Sequence, residues 1–179
     1  LSEGGITLSH LDGFAFGAGP GSFTGLRIAC GVIQGLAFAL DKPVVDISTL
    51  EALAQQNGSA KVITALDARM GEIYFAAYTQ KPNNQWIPIL SPMLCRPELA
   101  PQLIGKDWVG CGSGFDRYPD LLRDVYHDQL NEILTGCYPH AREIAQLSIA
   151  RFEQGSVLLP EQAVPTYIRN KVALKESER

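Results

Sequence analysis

A cluster of glycines followed by hydroxyl side chains is the part of this sequence best suited to chemistry. The run 17–21 reads Gly-Ala-Gly-Pro-Gly, follows a short apolar segment and precedes a long helical pattern. A strand that ends in small residues and leads into a helix offers free backbone N–H groups and a partial positive charge to an anion. The candidate phosphate-binding residues are therefore Gly19, Gly21, Ser22, Thr24 and Arg27.

This glycine loop lacks the features of the known nucleotide and nucleophile motifs. A P-loop requires a lysine, which is absent here, and the dinucleotide fingerprint requires a glycine where Ser22 stands. Ser22 is not flanked as in the Gly-x-Ser-x-Gly nucleophile elbow. The glycines equally suit a tight turn that brings the helix close to its neighbours, so the loop has a structural and a phosphate-binding interpretation.

A second candidate site is the turn 67–72, Asp-Ala-Arg-Met-Gly-Glu, which brings together two carboxylates and an arginine. Such a turn could bind Mg²⁺ or act in acid–base chemistry, although a salt-bridged turn is the commoner use of this pattern. His10, His127 and His140 lie far apart, and no His-x-x-x-His pair is present. We therefore predict no metal site and no catalytic residue.

Composition narrows the class of protein. The chain has 179 residues, of which 46% are hydrophobic and 19% charged, and this excludes intrinsic disorder. Its net charge of −4 gives no basic field that could hold a nucleic acid unaided. The four cysteines are too far apart for a zinc knuckle or a redox pair, which indicates free thiols. The longest apolar stretch, 29–40, is shorter than the about 20 residues of a membrane span.

The pattern predicts alternating strands and helices. Asp41, just before Lys42 and Pro43, marks the end of the first helix, and Ser48 with Glu51 resembles a capping box. A second lobe is expected to begin near Ser59. The predicted strands are 14–16, 43–47, 61–66, 73–78, 86–90 and 108–110. Strand 86–90 is expected at a sheet edge because it contains Pro88. The predicted helices are 22–40, 48–56, 98–103, 118–125 and one running from Pro139 through Phe152.

The first helix carries apolar residues around almost its whole circumference. It also contains Gly31 and Gly35, a spacing that lets another backbone approach closely. Burial within the chain is one explanation, and a partner's helix is the other. We predict a helix-to-helix interface with a partner, formed by Leu26, Ala29, Cys30, Gly31, Ile33, Gly35, Leu36 and Phe38.

These motifs, in this order, resemble the TsaB (YeaZ) family. The matching segments are 17–27 (GAGPGSFTGLR), 46–50 (DISTL), 65–74 (ALDARMGEIY), 110–114 (GCGSG) and 165–169 (PTYIR). The resemblance implies an α/β protein with the actin-like ATPase (ASKHA, ribonuclease H-like) fold and two lobes. The family's first β-hairpin and first helix have no counterpart here, so the N-terminal lobe, 1–58, is expected to be incomplete. Residues 59–179 are expected to form the C-terminal lobe and a terminal strap.

The resemblance also implies a function. The family takes part in making N6-threonylcarbamoyladenosine next to the anticodon of tRNA, as a non-catalytic scaffold and activator of TsaD, with the ATPase TsaE as third partner. The chain is expected to form a homodimer when alone and to contact tRNA only through the complex. It is expected to have no cofactor of its own, with ATP or ADP bound only within the complex. The expected location is the cytoplasm, without membrane contact. The alternative is a nucleotide-binding ATPase or kinase-type enzyme that uses residues 19–24 for phosphate and Asp67 for Mg²⁺.

Overall fold

Two β-sheets with helices packed on them organise the chain, of which the computed structural model describes residues 4–169. This arrangement confirms the predicted α/β class. The strands are β1 (Phe14–Gly19), β2 (Val44–Ser48), β3 (Lys61–Arg69), β4 (Glu72–Gln80), β5 (Trp86–Cys95), β6 (Trp108–Cys111) and β7 (Leu130–Leu134). The helices are α1 (Phe23–Leu40), α2 (Thr49–Gln55), α3 (Ser113–Arg117), α4 (Pro119–Tyr126) and α5 (Ala141–Glu153).

The first sheet contains two parallel strands, β1 and β2, joined through α1. Side chains alternate across a strand, so the two faces of β1 meet different helices. Phe14 and Phe16 pack in one core cluster with residues of α1, whereas Ala15 packs in another with Ile144 of α5. The sheet is therefore covered on both faces, and α5, from the second half of the sequence, returns to cover one of them.

The second sheet has five strands in the order β5-β4-β3-β6-β7. β3, β4 and β5 are antiparallel neighbours, and β6 and β7 add to β3 in parallel. One face of this sheet packs on α3 and α4, and the other face packs on α2. The edge strand β5 contains Pro88 and Pro92, which cannot donate a backbone hydrogen bond and so discourage pairing with a further strand.

The limits of the first helix agree with the sequence. Ser22 is the N-cap residue, and its Oγ accepts a hydrogen bond from the Gly25 N–H at 3.4 Å. Asp41 ends the helix in the left-handed conformation, with φ of 49°. The predicted capping box at Ser48 is wrong, because Ser48 precedes α2 without a side-chain cap bond.

Three predicted elements need correction. The helix expected over 98–103 is wrong: the chain makes one 3-10 turn, Pro97–Leu99, because Pro101 cannot continue a helix. The last helix begins at Ala141, not at Pro139, because His140 is extended and serves as its N-cap. Strand β7 is not predicted, since it is short and interrupted by polar residues. The charged tail beyond Arg169 lies outside the described residues.

Helix α1 is longer than the apolar stretch 29–40, and it is predominantly apolar over its whole length. Among residues 4–169 it is the helix that is long and apolar enough to cross a membrane by length and composition, with 18 residues and a mean hydropathy of 1.6. A single helix of this kind is weak evidence for a membrane span, because core helices of soluble proteins can be equally long and apolar. Here one side of α1 packs on β1, and 17% of the helix is buried.

Candidate functional site

The outer side of α1 is an exposed apolar surface. Ile28, Val32 and Phe38 are 62%, 55% and 79% exposed, and Gly31 and Gly35 lie among them. Residues three, four and seven apart share a helix face, so these side chains form one stripe along the helix. We call this stripe, made of Ile28, Gly31, Val32, Gly35 and Phe38, the outer face of α1.

The two glycines make the outer face shallow at its centre. A Cβ atom added at Gly31 or Gly35 would meet no atom of this chain within 4 Å. Neither glycine is therefore needed for packing inside the chain, although each costs helix stability relative to alanine. Small residues of this kind let a second helix approach closely, which suits a surface that another chain covers.

The structure divides the predicted interface residues into three groups. Gly31, Gly35 and Phe38 are exposed, and Ala29, Ile33 and Leu36 are half-buried. Leu26 and Cys30 are only 7% and 5% exposed and pack within this chain, so we leave them out of the outer face. Sequence reasoning missed Ile28 and Val32, because a helix that is apolar all round gives no signal of which side faces its own sheet.

A cleft of about 660 Å³ opens beside the N-terminus of α1. The loop after β1, the hairpin turn between β3 and β4, and the segment Pro165–Arg169, which we call the strap, form its walls. Of the candidate phosphate-binding residues, Gly21 and Ser22 line this cleft. The remainder of the lining is largely apolar, including Leu26, Leu66 and Met70.

The other members of the phosphate-binding set are engaged elsewhere or exposed. Gly19 lies under the strap, where an added Cβ would come within 2.7 Å of the Thr166 carbonyl oxygen. The Arg27 guanidinium stacks over the Phe23 ring, 3.9 Å from its centroid, and its Nε donates to the Tyr167 hydroxyl at 2.9 Å. Thr24 is exposed in the first turn of α1. The phosphate site stays a prediction.

The hairpin turn is salt-bridged, as the commoner interpretation of its sequence predicted. Asp67 binds Arg69 twice, through the backbone N–H at 2.9 Å and the guanidinium at 3.2 Å. Arg69 and the next residue, Met70, lie in the left-handed conformation, with φ of 64° and 56°. Glu72 pairs with Arg169 at 2.7 Å. Both carboxylates of the turn therefore have a cationic partner within the chain.

The strap connects the two sheets across the cleft. Its Thr166 N–H donates to the Ala18 carbonyl of β1 at 2.8 Å. At its other end the Arg169 guanidinium donates to the Ala68 carbonyl at 3.0 Å and pairs with Glu72. The Arg169 side chain is only 15% exposed, so this anchor is partly shielded from water. The strap thus braces the hairpin turn against the end of β1.

Replacing Arg169 with alanine is expected to detach this end of the strap. The Thr166 amide should then exchange with deuterium at least about tenfold faster, because its bond to Ala18 loses its neighbouring anchor. Hydrogen exchange followed by mass spectrometry measures this change. Arg69→Ala is the matched control, since the Arg69 side chain pairs with Asp67 and makes no hydrogen bond or ion pair with residues 165–169 of the strap. Equal exchange in Arg169→Ala and the parent chain would contradict the bracing role.

The thiols of the chain are poor nucleophiles at neutral pH. Burial raises the pKa of Cys111 to about 12, with nearby Cys137 adding to the shift, and burial raises the pKa of Cys95 to about 11. Burial also raises the pKa of Cys30 and of Cys137. Each thiol is therefore protonated near neutral pH. Within residues 4–169, no group of three His, Cys, Asp or Glu is placed to hold a metal ion.

Comparison with known proteins gives the class of protein that this fold and surface define. A sequence model of the family described as TsaD, tRNA N6-adenosine threonylcarbamoyltransferase, matches residues 1–174. The α/β arrangement is that of the actin-like (ASKHA) fold, and its first sheet has two strands within residues 4–169.

Within this class the relatives are more specific. A protein of Escherichia coli (strain K12) named tRNA threonylcarbamoyladenosine biosynthesis protein TsaB is 36% identical over 98% of this chain and 78% of its own length. The TsaB of Haemophilus influenzae is 34% identical, again over 98% of this chain and 78% of its own length. A crystal structure from Pseudomonas aeruginosa, described as similar to peptidase YeaZ, superimposes with a TM-score of 0.86 at 36% identity, over 94% of this chain and 78% of that one. The chain belongs to the TsaB (YeaZ) family.

Proposed function

We propose that this chain is a non-catalytic partner in the synthesis of N6-threonylcarbamoyladenosine on tRNA, and that it binds and activates a TsaD subunit through the outer face of α1. The names of its TsaB relatives support the pathway. The observation that carries the docking role is the exposed stripe Ile28, Val32 and Phe38 around two glycines that the chain's own packing does not need.

The outer face has the chemistry of a protein interface. Isolated apolar side chains are common on protein surfaces, but a continuous stripe along one helix marks a surface that another molecule covers. The stripe carries no charge, so its burial against an apolar partner leaves no ion unpaired. The same surface on a second copy provides the homodimer when TsaD is absent. TsaD and a second copy of this chain therefore compete for the outer face of α1.

The other features of the chain support a role without chemistry of its own. Asp67 and Glu72 are paired with arginines, and the thiols are protonated. TsaD then performs the transfer, TsaE joins the assembly as its ATPase, and tRNA and ATP or ADP are contacted only within the complex. The proposed location is the cytoplasm, where tRNA is modified.

Reconstitution tests this function. Purified TsaD, TsaE, tRNA, an activated threonylcarbamoyl donor and Mg-ATP are combined with and without this chain, and modified adenosine is measured by mass spectrometry of digested tRNA. We expect formation of the modified nucleoside to require this chain. Equal formation in its absence would contradict the activator role.

One observation supports the alternative, a nucleotide-binding enzyme: Gly21, Ser22 and Asp67 all line the cleft beside α1. We nevertheless propose that the isolated chain does not bind nucleotide tightly. We expect calorimetry of the isolated chain with Mg-ATP to give a Kd weaker than about 1 mM. The physical reason is that both oxygens of Asp67 already bind Arg69 and that Arg27 is held by Phe23 and Tyr167. A micromolar Kd, lost on Asp67→Asn, would favour the kinase-type enzyme instead.

A further inference from the structure

Arg27 is the one charged residue of α1, whose sequence reads FTGLRIACGVIQGLAFAL. It lies four residues before Gly31 and eleven before Phe38, so the three residues share one side of the helix. This spacing places Arg27 at the border of the outer face of α1, on the side where the strap lies. The proposed function gives no role to a charge at the border of a surface that is otherwise apolar.

The Arg27 guanidinium has no acidic partner within residues 4–169. Its Nε donates to the Tyr167 hydroxyl at 2.9 Å, and its two terminal nitrogens, Nη1 and Nη2, make no hydrogen bond to the described part of the chain. These two nitrogens form a fork that a carboxylate can bind with both of its oxygens. Arg27 therefore retains the donors that an acidic side chain of another molecule needs.

Two aromatic rings hold this guanidinium in place. It stacks over the Phe23 ring, 3.9 Å from the centroid, and lies 5.9 Å from the centroid of the Tyr167 ring. The two rings are in contact with each other, with centroids 5.6 Å apart. A long charged side chain normally loses rotamer freedom when it forms an ion pair. Because the Arg27 side chain is already held, an ion pair formed there costs less conformational entropy.

The position of Arg27 favours a protein carboxylate over a phosphate in the cleft. Arg27 is not among the described residues that line the cleft beside the N-terminus of α1. It lines instead a groove of about 530 Å³ between α1 and the strap, together with Gly31, Gln34 and Val164. Gly31 belongs both to this groove and to the outer face of α1. A chain that covers the outer face therefore comes within reach of Arg27.

We propose that Arg27 forms an ion pair with a carboxylate of TsaD at the border of the outer face of α1, and that this ion pair fixes the position of TsaD along the helix. The inference rests on the proposed function, since it takes TsaD as the molecule that covers this face. Charge complementarity is the argument for an acidic partner, because a guanidinium left unpaired beside an apolar interface opposes binding. A second copy of this chain brings no carboxylate on α1 itself, and Asp41 follows only at the end of the helix.

The dependence of TsaD binding on salt tests this ion pair by calorimetry. For the parent chain, raising the ionic strength from about 0.05 to about 0.5 M should weaken binding at least about fivefold, because the two charges are screened. Arg27→Gln should weaken binding at low salt at least about tenfold and remove most of the salt dependence. Arg123→Gln, the same change at an exposed arginine of α4, is the matched control and should leave both unchanged. Circular dichroism confirms that each variant is folded.

Carbodiimide cross-linking identifies the partner group directly. The carbodiimide activates a carboxylate, an amine attacks the activated carbon to form an amide, and the carbodiimide leaves as a urea that has taken up the oxygen. Arginine does not react in this way, so Arg27→Lys introduces an amine while keeping the positive charge. We expect mass spectrometry of the digested complex to show a peptide that joins position 27 to an aspartate or glutamate of TsaD. Arg123→Lys should give no cross-link to TsaD at position 123.

The contrary outcomes separate this inference from the proposed function. Unchanged or tighter binding of TsaD by Arg27→Gln would overturn the ion pair and leave the docking role intact. The same holds if bound TsaD gives no cross-link at position 27, or if position 27 is cross-linked only to a second copy of this chain. If the parent chain did not bind TsaD at all, the proposed function would fail together with the inference.

Discussion

Replacing Ile28 with arginine is expected to weaken binding of TsaD by at least about 100-fold, because a guanidinium would be buried unpaired in an apolar interface. The Ile28 side chain is 62% exposed and lies on the outer face of α1. The free energy of unfolding should change by less than about 0.5 kcal/mol, as for other exposed helix positions. Isothermal titration calorimetry measures the affinity, and urea unfolding measures the stability.

The matched control for this prediction lies on another helix. Ile149 of α5 is 58% exposed and is absent from the outer face of α1. Ile149→Arg makes the same chemical change at nearly the same exposure, so it should leave TsaD binding within about twofold of the parent chain. Similar losses in both variants would mean that TsaD does not recognise the outer face of α1.

Replacing Gly112 with alanine is expected to destabilise the fold by about 3 kcal/mol or more, which corresponds to a fall in Tm of roughly 10 °C. Gly112 has φ of +102°, and an added Cβ would lie 2.3 Å from the Ala65 carbonyl oxygen of β3. Because this contact is with backbone, no side chain can rotate to relieve it. Thermal unfolding followed by circular dichroism measures the change.

Gly136 separates the two causes of this loss. It also has a positive φ, 69°, but an added Cβ would meet nothing within 4 Å. Gly136→Ala should therefore cost only the backbone strain, about 1 kcal/mol. If Gly112→Ala were no more destabilising than Gly136→Ala, the close approach of the loop after β6 to β3 would not be a determinant of the fold.

The sequence predicted those elements whose limits are set by local chemistry. Ser22 and Asp41 bound α1 because a hydroxyl cap at its start and a proline two residues after Asp41 each act within one turn. The pairing of Asp67 with Arg69 is equally local, and it was the commoner interpretation of the turn. The helix expected over 98–103 is wrong because Pro101 cannot continue a helix, and only the 3-10 turn Pro97–Leu99 forms.

Features that depend on distant parts of the chain could not be predicted. Which side of α1 faces solvent depends on the position of β1 and Ala163, so Ile28 was missed and Leu26 was included. The hydrogen bond from Arg27 to the Tyr167 hydroxyl joins residues 140 positions apart. Short strand β7 is stabilised by pairing with β6 and has little strand pattern of its own.

Hydroxyl-radical footprinting of this chain with and without TsaD tests most directly whether the outer face of α1 is the docking surface. Phe38 is 79% exposed on that face, and Tyr138, which is 54% exposed, is not part of it. We expect TsaD to lower oxidation of Phe38 by about fivefold or more and to leave Tyr138 unchanged, because the centre of an interface excludes water. Full oxidation of Phe38 in a complex saturated with TsaD would contradict the account.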